Sequence, residues 1–193
     1  MNIPKDIQPE LRQKANGLLR RLSNSQREAL LIKCWMSHDA RWFMAVAQEY
    51  GVRVTNHINQ IAAHEVGKVE ARRVFRALQL PPVKTLDDFL VAQEIFIGLL
   101  GPDLLEYGVN KVSESSYQVN VKRCFAHQNA ERAGIIDRYE CGIFARVTGW
   151  LEGLGLTYES NPPLGRCLKD QGRECIYHIT LGVGSSKPYG VKA

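Results

Sequence analysis

The stretch LEYGVNKVSESSYQVNVKRC, residues 105–124, decides the fold, because the spacing of apolar residues changes there. Apolar residues occupy every second position on both sides of a serine-rich turn at 113–116. These positions are Leu105, Tyr107 and Val109 before the turn and Tyr117, Val119 and Val121 after it. A period of two is typical of strands with one buried face. The stretch therefore predicts an antiparallel hairpin.

The residues before this hairpin predict helices throughout. We expect helices over 9–22, 25–50 and 55–80, and a fourth from a cap at 85–88 to Gly101. Ser25 and Glu28 have the spacing of a capping box for the second helix, and Gly67 is a candidate break in the third. The expected apolar seam of the second helix is Leu31, Trp35, Trp42 and Val46, with His38 between the tryptophans.

The residues after the hairpin mix helices and strands. We expect helices over 126–133 and 140–153, a strand over 156–160, and a final hairpin that turns at 169–172. The fold class is α+β, with a helical region at 1–103, a cysteine-bearing domain with an antiparallel sheet at 104–182, and a mobile tail at 183–193.

Composition narrows the class of protein. The 193 residues are 45% hydrophobic and 23% charged, which is typical of a globular protein. The first residues lack the apolar centre of a signal peptide, and no apolar run is long enough for a membrane span. The net charge of +5 is scattered, without a nucleic-acid-binding motif. We expect a cytoplasmic protein with reduced cysteines that binds neither nucleic acid nor membrane.

Four of the five cysteines follow Tyr117, and these four are the main candidates for chemistry. Cys124 ends a strand, Cys141 begins a helix where the dipole favours thiolate, and Cys167 and Cys175 face each other across the final hairpin. Such thiols can ligate a metal, form a disulfide, carry out redox chemistry or pack as small hydrophobes. Their spacings match no standard zinc finger. Cys34 is expected in the core.

Several histidines accompany these cysteines. His127 lies three residues after Cys124, as a further ligand or an acid–base group. In an enzyme, a metal-activated water or the Cys141 thiolate would attack and His127 would carry the proton. His178, on a strand face, is expected to be packed or solvated.

The helical region holds a second cluster of aromatic and polar residues: Trp35, His38, Asp39, Trp42, His57, His64 and Glu65. It lacks the Glu-x-x-His pairs of di-metal bundles and predicts a helix–helix interface instead. Apolar residues on more than one helix face favour a two-fold homodimer through Trp35, Met36, Trp42, Phe43, Ile58 and Ile61.

These residues also carry a family resemblance. Part of the chain resembles the 4-vinyl reductase domain, whose closing segment is similar to Cys-x-x-x-Gly-x-x-Cys. The residues that carry this resemblance are Cys124, Gln128, Arg132, Gly134, Tyr139, Cys141 and the segment CLKDQGRECIY at 167–177. The spacing here is slightly longer. The front segments, WMSHDARWF at 35–43 and EARR at 70–73, resemble L-2-amino-thiazoline-4-carboxylate hydrolase-like proteins.

The resemblance implies the ligand-binding fold of nitric-oxide-signalling and Golgi-transport proteins, and a metal bound by Cys124, Cys141, Cys167 and Cys175. Zinc is the first expectation and an iron–sulfur centre the alternative. The leading hypothesis is a sensor or carrier that holds a small apolar molecule between helices and sheet. The alternative is a hydrolase that opens a C–N bond of a small cyclic amidine such as 2-amino-thiazoline-4-carboxylate.

Overall fold

The structure is a computed structural model that describes residues 7–182, and it has the expected α+β class. The helices are α1 (Gln8–Leu19), α2 (Asn24–Tyr50), α3 (Val52–Leu78), α4 (Leu86–Leu100), α5 (Phe125–Arg132) and α6 (Gly142–Gly153). The strands are β1 (Leu105–Lys111), β2 (Ser116–Cys124), β3 (Thr157–Asn161) and β4 (Ile176–Gly182). The prediction that every strand follows residue 104 is confirmed for the described residues. The expected mobile tail at 183–193 lies outside them.

The four strands form one antiparallel sheet in the order β1-β2-β4-β3. The predicted hairpin of β1 and β2 is present, with Val109 opposite Val119. Tyr117, Val119 and Val121 are buried, as the alternation predicts. One face of the sheet therefore supplies the core.

The prediction of a final hairpin is wrong for its first strand. Residues 168–172 form successive turns, and Gln171 and Arg173 both donate their backbone N–H to Leu168 O. The Arg166 side chain bonds Asp170, which favours this compact form over an extended strand. Only β4 is a strand, and it pairs with β2 and β3. Cys167 and Cys175 consequently do not face each other across a ladder.

Helices α3 and α6 cross with their backbones close together at two glycines. A Cβ at Gly67 would lie 2.3 Å from Arg146 O, and a Cβ at Gly149 would lie 2.1 Å from His64 O. The two backbones touch because these positions carry no side chain. The expected break at Gly67 is therefore wrong, since α3 runs through this residue and uses it for packing.

Large side chains fill the layer between this helix pair, α4 and the sheet. Trp150 is 2% exposed and packs on Phe96 with ring centroids 5.1 Å apart, while Phe89 packs on Tyr117 at 6.0 Å. Trp150 Nε1 donates to Glu70 Oε2 at 3.0 Å, so its polar atom is satisfied.

Two helix starts use capping boxes. Thr85 and Asp88 form the predicted box of α4. The box of α2 is formed by Ser23 and Gln26, not by Ser25 and Glu28, because Ser23 Oγ accepts from Gln26 N at 3.1 Å and Gln26 Oε1 accepts from Ser23 N at 2.8 Å. Both serines fit the pattern in sequence, and the structure places the capping residue two positions earlier than predicted.

The predicted seam of α2 is wrong. Leu31 is 69% exposed, and α2 contains no buried residue. Phe43 and Met44 pack instead on a small cluster that includes Tyr139, with the Phe43 and Tyr139 rings 5.9 Å apart. Periodicity indicates an apolar stripe but does not tell which stripe meets a neighbour.

The chain divides into two compact units between Asp39 and Ala40, inside α2. The predicted ranges 1–103 and 104–182 do not coincide with these units, because α3 and α4 share one core with the sheet. No described helix is long and apolar enough to cross a membrane.

Candidate thiol–imidazole site

Four cysteines and one histidine line a single cavity of about 20 Å³ beside the sheet. They are Cys124, Cys141, Cys167, Cys175 and His127. Apolar side chains form much of the remaining wall, among them Val121, Phe144, Leu168 and Tyr177. A space of this size has room for one water-sized particle.

Two of the cysteines lie where helices begin. Cys124 is the N-cap residue of α5 at the end of β2, and Cys141 is the N-cap residue of α6. Asn56 of α3 fixes the approach to Cys141, because its side chain donates to Arg138 O at 2.6 Å and accepts from Glu140 N at 3.3 Å. Asn56 is 2% exposed, so this anchor is held inside the protein.

Backbone hydrogen bonds bring the other two cysteines to the same place. Cys167 N donates to Tyr139 O at 3.1 Å, and Cys141 N donates to Gly165 O at 2.8 Å, so the loop at 162–167 runs beside the start of α6. Cys175 O accepts from Val121 N at 2.9 Å, which ties the residue before β4 to β2.

Burial controls the protonation of three of these thiols. Desolvation first, and the neighbouring thiols second, raise the pKa of Cys141 and of Cys175 to about 12. Burial also raises the pKa of Cys124. Burial thus favours the protonated form of Cys141 and opposes the effect that the helix start was predicted to have. Cys141 does begin a helix, and the backbone N–H of Phe144 lowers the pKa of its thiol, but desolvation outweighs that contribution.

His127 lies between a thiol and a carboxylate. Its Nδ1 is 3.5 Å from Cys167 Sγ, and its Nε2 is 3.3 Å from Glu131 Oε1. The side chain of His127 is 18% exposed. The contact that His127 makes within the cluster is thus with Cys167 rather than with Cys141, its predicted partner.

A family comparison adds to this geometry. Residues 20–148 match the model of DUF6125, a family of unknown function. The chain belongs to the DUF6125 family. The match contains Cys124, His127, Glu131 and Cys141, whereas Cys167 and Cys175 lie beyond its end. No curated protein matches the chain.

The donor atoms of this DUF6125 protein are of the types that bind zinc, but their positions do not form a metal site among the described residues. Thiolate sulfur and imidazole nitrogen are the ligands that zinc takes most often. Within residues 7–182, however, no three His, Cys, Asp or Glu side chains are arranged to hold one ion. The cysteines are free rather than joined in disulfides.

The other sequence candidates do not join this cluster. Cys34 is exposed, which corrects its expected place in the core. His178 and His57 are exposed, and His64 Nε2 lies 2.9 Å from Glu152. Trp35 and Trp42 are 40% and 41% exposed.

Sequence reasoning missed Glu131 and Lys169. Glu131 lies four residues after His127, a spacing that places both side chains on one helix face. Lys169 lines the cavity and donates from Nζ to Lys122 O at 2.5 Å. The spacing of Glu131 was readable in the sequence, whereas Lys169 needed the path of the loop.

Proposed function

We propose that the protein is a metal-dependent sensor or carrier of a small molecule, in which Cys124, Cys141, Cys167 and Cys175 hold the metal. The observation that supports this proposal is that four of the five cysteines line one small cavity. Zinc is the metal that we expect first. The family match supports no activity by itself, because it carries no function.

The size of the cavity favours a single ion over an iron–sulfur centre. About 20 Å³ has room for one water-sized particle, and a cluster of several iron and sulfide ions needs more space. A cation would also offset the mutual repulsion of thiolates, which otherwise stay protonated in this desolvated setting. When bound, zinc supplies positive charge and tetrahedral geometry.

Among the described residues no three donors are placed to hold one ion, so metal binding requires the donors to rearrange. The segment at 162–175 lies between β3 and β4 outside any helix or strand, and it contains Cys167 and ends at Cys175. We therefore expect metal loading to reposition this segment. A loop that changes with metal or ligand suits a sensor.

The position of the small molecule follows from packing. The layer between the helices and the sheet is filled by Trp150, Phe89 and Tyr117, each at most 2% exposed. We therefore place the small molecule at the cysteine cavity, beside Lys169, after the segment at 162–175 has moved. The Lys169 ammonium favours a molecule with an anionic group there.

Elemental analysis of protein purified without added metal tests the proposal. We expect about one zinc per chain, because one tetrahedral ion uses four ligands. Cys167→Ser and Cys175→Ser lower both the zinc content and the unfolding temperature, since the binding energy of a structural metal adds to folding energy. Cys34→Ser, at an exposed cysteine, is the matched control and keeps both values. Protein that neither contains nor takes up zinc contradicts the proposal.

The hydrolase remains a second candidate because of two contacts. These contacts join a nucleophile, a base and an orienting carboxylate in that order, and these groups are Cys167 Sγ, the His127 ring and Glu131. In this alternative Cys167, rather than Cys141, attacks the amidine carbon, and His127 passes the thiol proton to the leaving nitrogen as the C–N bond breaks. Water then hydrolyses the bond between the carbon and Cys167 Sγ and restores the thiol. Metal-free protein should then consume 2-amino-thiazoline-4-carboxylate, and Cys167→Ala should abolish the reaction while Cys34→Ala leaves it unchanged. Metal-free protein that leaves this compound intact removes the support for the hydrolase.

A further inference from the structure

Two short segments pair immediately before the start of α6. An isolated antiparallel bridge joins Glu140 and Arg166. Two backbone hydrogen bonds flank this bridge, and their donors are the N–H groups of Cys141 and Cys167. In this pattern the two bridging residues form a non-hydrogen-bonded pair, whose Cα atoms lie about 4.5 Å apart. The bridge therefore fixes how far apart the two cysteines beside it are.

The bridge also places Cys141 and Cys167 on the same side. Side chains alternate between the two faces of an extended segment, so the residues next to a bridging pair share the opposite face. Arg166 is exposed, whereas Cys167 is buried, and both cysteines line the cavity that contains His127. Diagonal neighbours of this kind have Cα atoms about 7–8 Å apart, and a disulfide spans up to about 6.8 Å. A shift of roughly 1 Å would thus bring the pair within bonding distance.

The segment that has to shift belongs to no helix or strand. Cys167 lies within residues 162–175, between β3 and β4. Cys141 is held more firmly, because it begins α6 and Asn56 anchors the residues before it. Both thiols are free in the structure. The two cysteines are therefore a reduced pair, of which one member is fixed and the other lies on an irregular segment.

The cavity limits which oxidant can reach Cys167. Its volume of about 20 Å³ has room for one water-sized particle. Hydrogen peroxide is only slightly larger than water, whereas an organic hydroperoxide carries a bulky carbon group. Cys167 Sγ also contacts an imidazole, since His127 Nδ1 lies 3.5 Å away. A small peroxide that enters the cavity would meet this thiol beside a group that can carry its proton.

We propose that hydrogen peroxide oxidises Cys167 and that Cys141 then joins it in a disulfide. Cys167 Sγ attacks one peroxide oxygen, the O–O bond breaks, and the thiol proton passes through His127 to the departing oxygen, which leaves as water. Cys141 Sγ attacks the sulfenic acid that has formed at Cys167, the S–O bond breaks, and the departing oxygen leaves as a second water with the Cys141 proton. One peroxide is reduced to two waters while two thiols are oxidised to one disulfide. This activity goes beyond the proposed metal binding and uses the metal-free thiols.

Thiol counting and peptide mapping of the reduced, zinc-free full chain test this inference. After hydrogen peroxide the chain should lose two of its five thiols. Cleavage after Lys and Arg places each cavity cysteine on a peptide of its own, so mass spectrometry should find residues 139–146 joined to residues 167–169. Cys34→Ser, at an exposed cysteine, is the matched control and should form the same disulfide. A disulfide between two other cavity cysteines, or no disulfide at all, overturns the inference.

Two variants separate the steps of the reaction. Cys141→Ser should stop it at the sulfenic acid of Cys167, which dimedone traps, and Cys167→Ser should give neither the trapped acid nor the disulfide. Serine is a favoured N-cap residue, so Cys141→Ser should keep the start of α6 intact. Trapping at another cavity cysteine in Cys141→Ser would contradict the assignment of the first step to Cys167.

The choice of peroxide tests whether the reaction takes place in the cavity. Hydrogen peroxide should be preferred over tert-butyl hydroperoxide more strongly at Cys167 than at the exposed Cys34 of the same chain. An equal preference at both cysteines overturns the role of the cavity. A chain that forms the disulfide but takes up no zinc contradicts the metal site alone, and a chain that takes up zinc but forms no disulfide contradicts this inference alone.

Discussion

Substitution of Gly149 by alanine should open the crossing of α3 and α6. The added Cβ would lie 2.1 Å from His64 O, and a real contact of this kind needs a separation of more than 3.0 Å. The obstacle is backbone, so no side-chain rotation can relieve it. The helices must therefore separate by roughly 1 Å, which is the shortfall between these two distances.

The size of the effect follows from two opposing contributions. Overpacking in a well-packed core costs about 1–3 kcal/mol and occasionally more. Alanine gains up to about 1 kcal/mol over glycine in a helix. Because the clash involves backbone and separates a buried helix pair, we expect a net loss of about 2–3 kcal/mol in the free energy of unfolding. For a chain of this length, that loss lowers the unfolding temperature by roughly 4–12 °C.

Gly98→Ala is the matched control, because a Cβ at Gly98 in α4 meets nothing within 4 Å. It should leave stability equal or raise it by up to about 1 kcal/mol. Urea unfolding followed by circular dichroism measures both variants against the unmodified protein. If Gly149→Ala proves as stable as Gly98→Ala, the close backbone contact of α3 and α6 is refuted. If Gly149→Ala is too unstable to purify while Gly98→Ala folds, the predicted direction holds.

Three further predictions concern a cap, the metal and association. Thr85→Ala should cost about 1 kcal/mol in urea unfolding, because it removes the cap of α4. The backbone N–H of Lys84, together with Thr85, holds the pKa of Asp88 below its usual value, so this stabilisation is present at neutral pH and is lost as pH falls through the folded pKa. An acid titration of stability that is identical in Asp88→Asn and the unmodified protein would speak against this. Zinc binding should release protons from the buried thiols. The heat of zinc binding, measured by calorimetry, should therefore change with the ionisation enthalpy of the buffer. The same heat in every buffer would contradict this prediction. Light scattering at micromolar concentration should give a homodimer, and a monomer would count against the exposed Trp42 and Ile61 as part of an interface.

The hairpin and the cap of α4 could be predicted because each depends on local chemistry. Alternation from Leu105 to Val121 places one set of side chains on one sheet face wherever the sheet lies. Thr85 and Asp88 satisfy each other's backbone N–H groups within four residues. Neither feature needs knowledge of the rest of the chain.

The details of the cysteine site could not be predicted in the same way. The turn residues between Cys167 and Cys175 fit a hairpin as well as the compact turns that Arg166 and Asp170 stabilise. The protonation of Cys141 depends on burial, and position at a helix start does not reveal burial. The exposed face of α2 likewise depends on which stripe meets Tyr139.

The glycine contact between α3 and α6 also has a mechanical consequence. Cys141 stands directly before α6, and Gly149 lies two turns further along, where the helix rests on the backbone of α3. Because no side chain lies between the two backbones at that point, nothing there can yield when α6 tilts. A displacement of Cys141 would therefore carry α3 along as one stiff piece, and with it His64, which is joined to Glu152 of α6. A displacement at the thiols would thus be transmitted to the helical surface that bears His64.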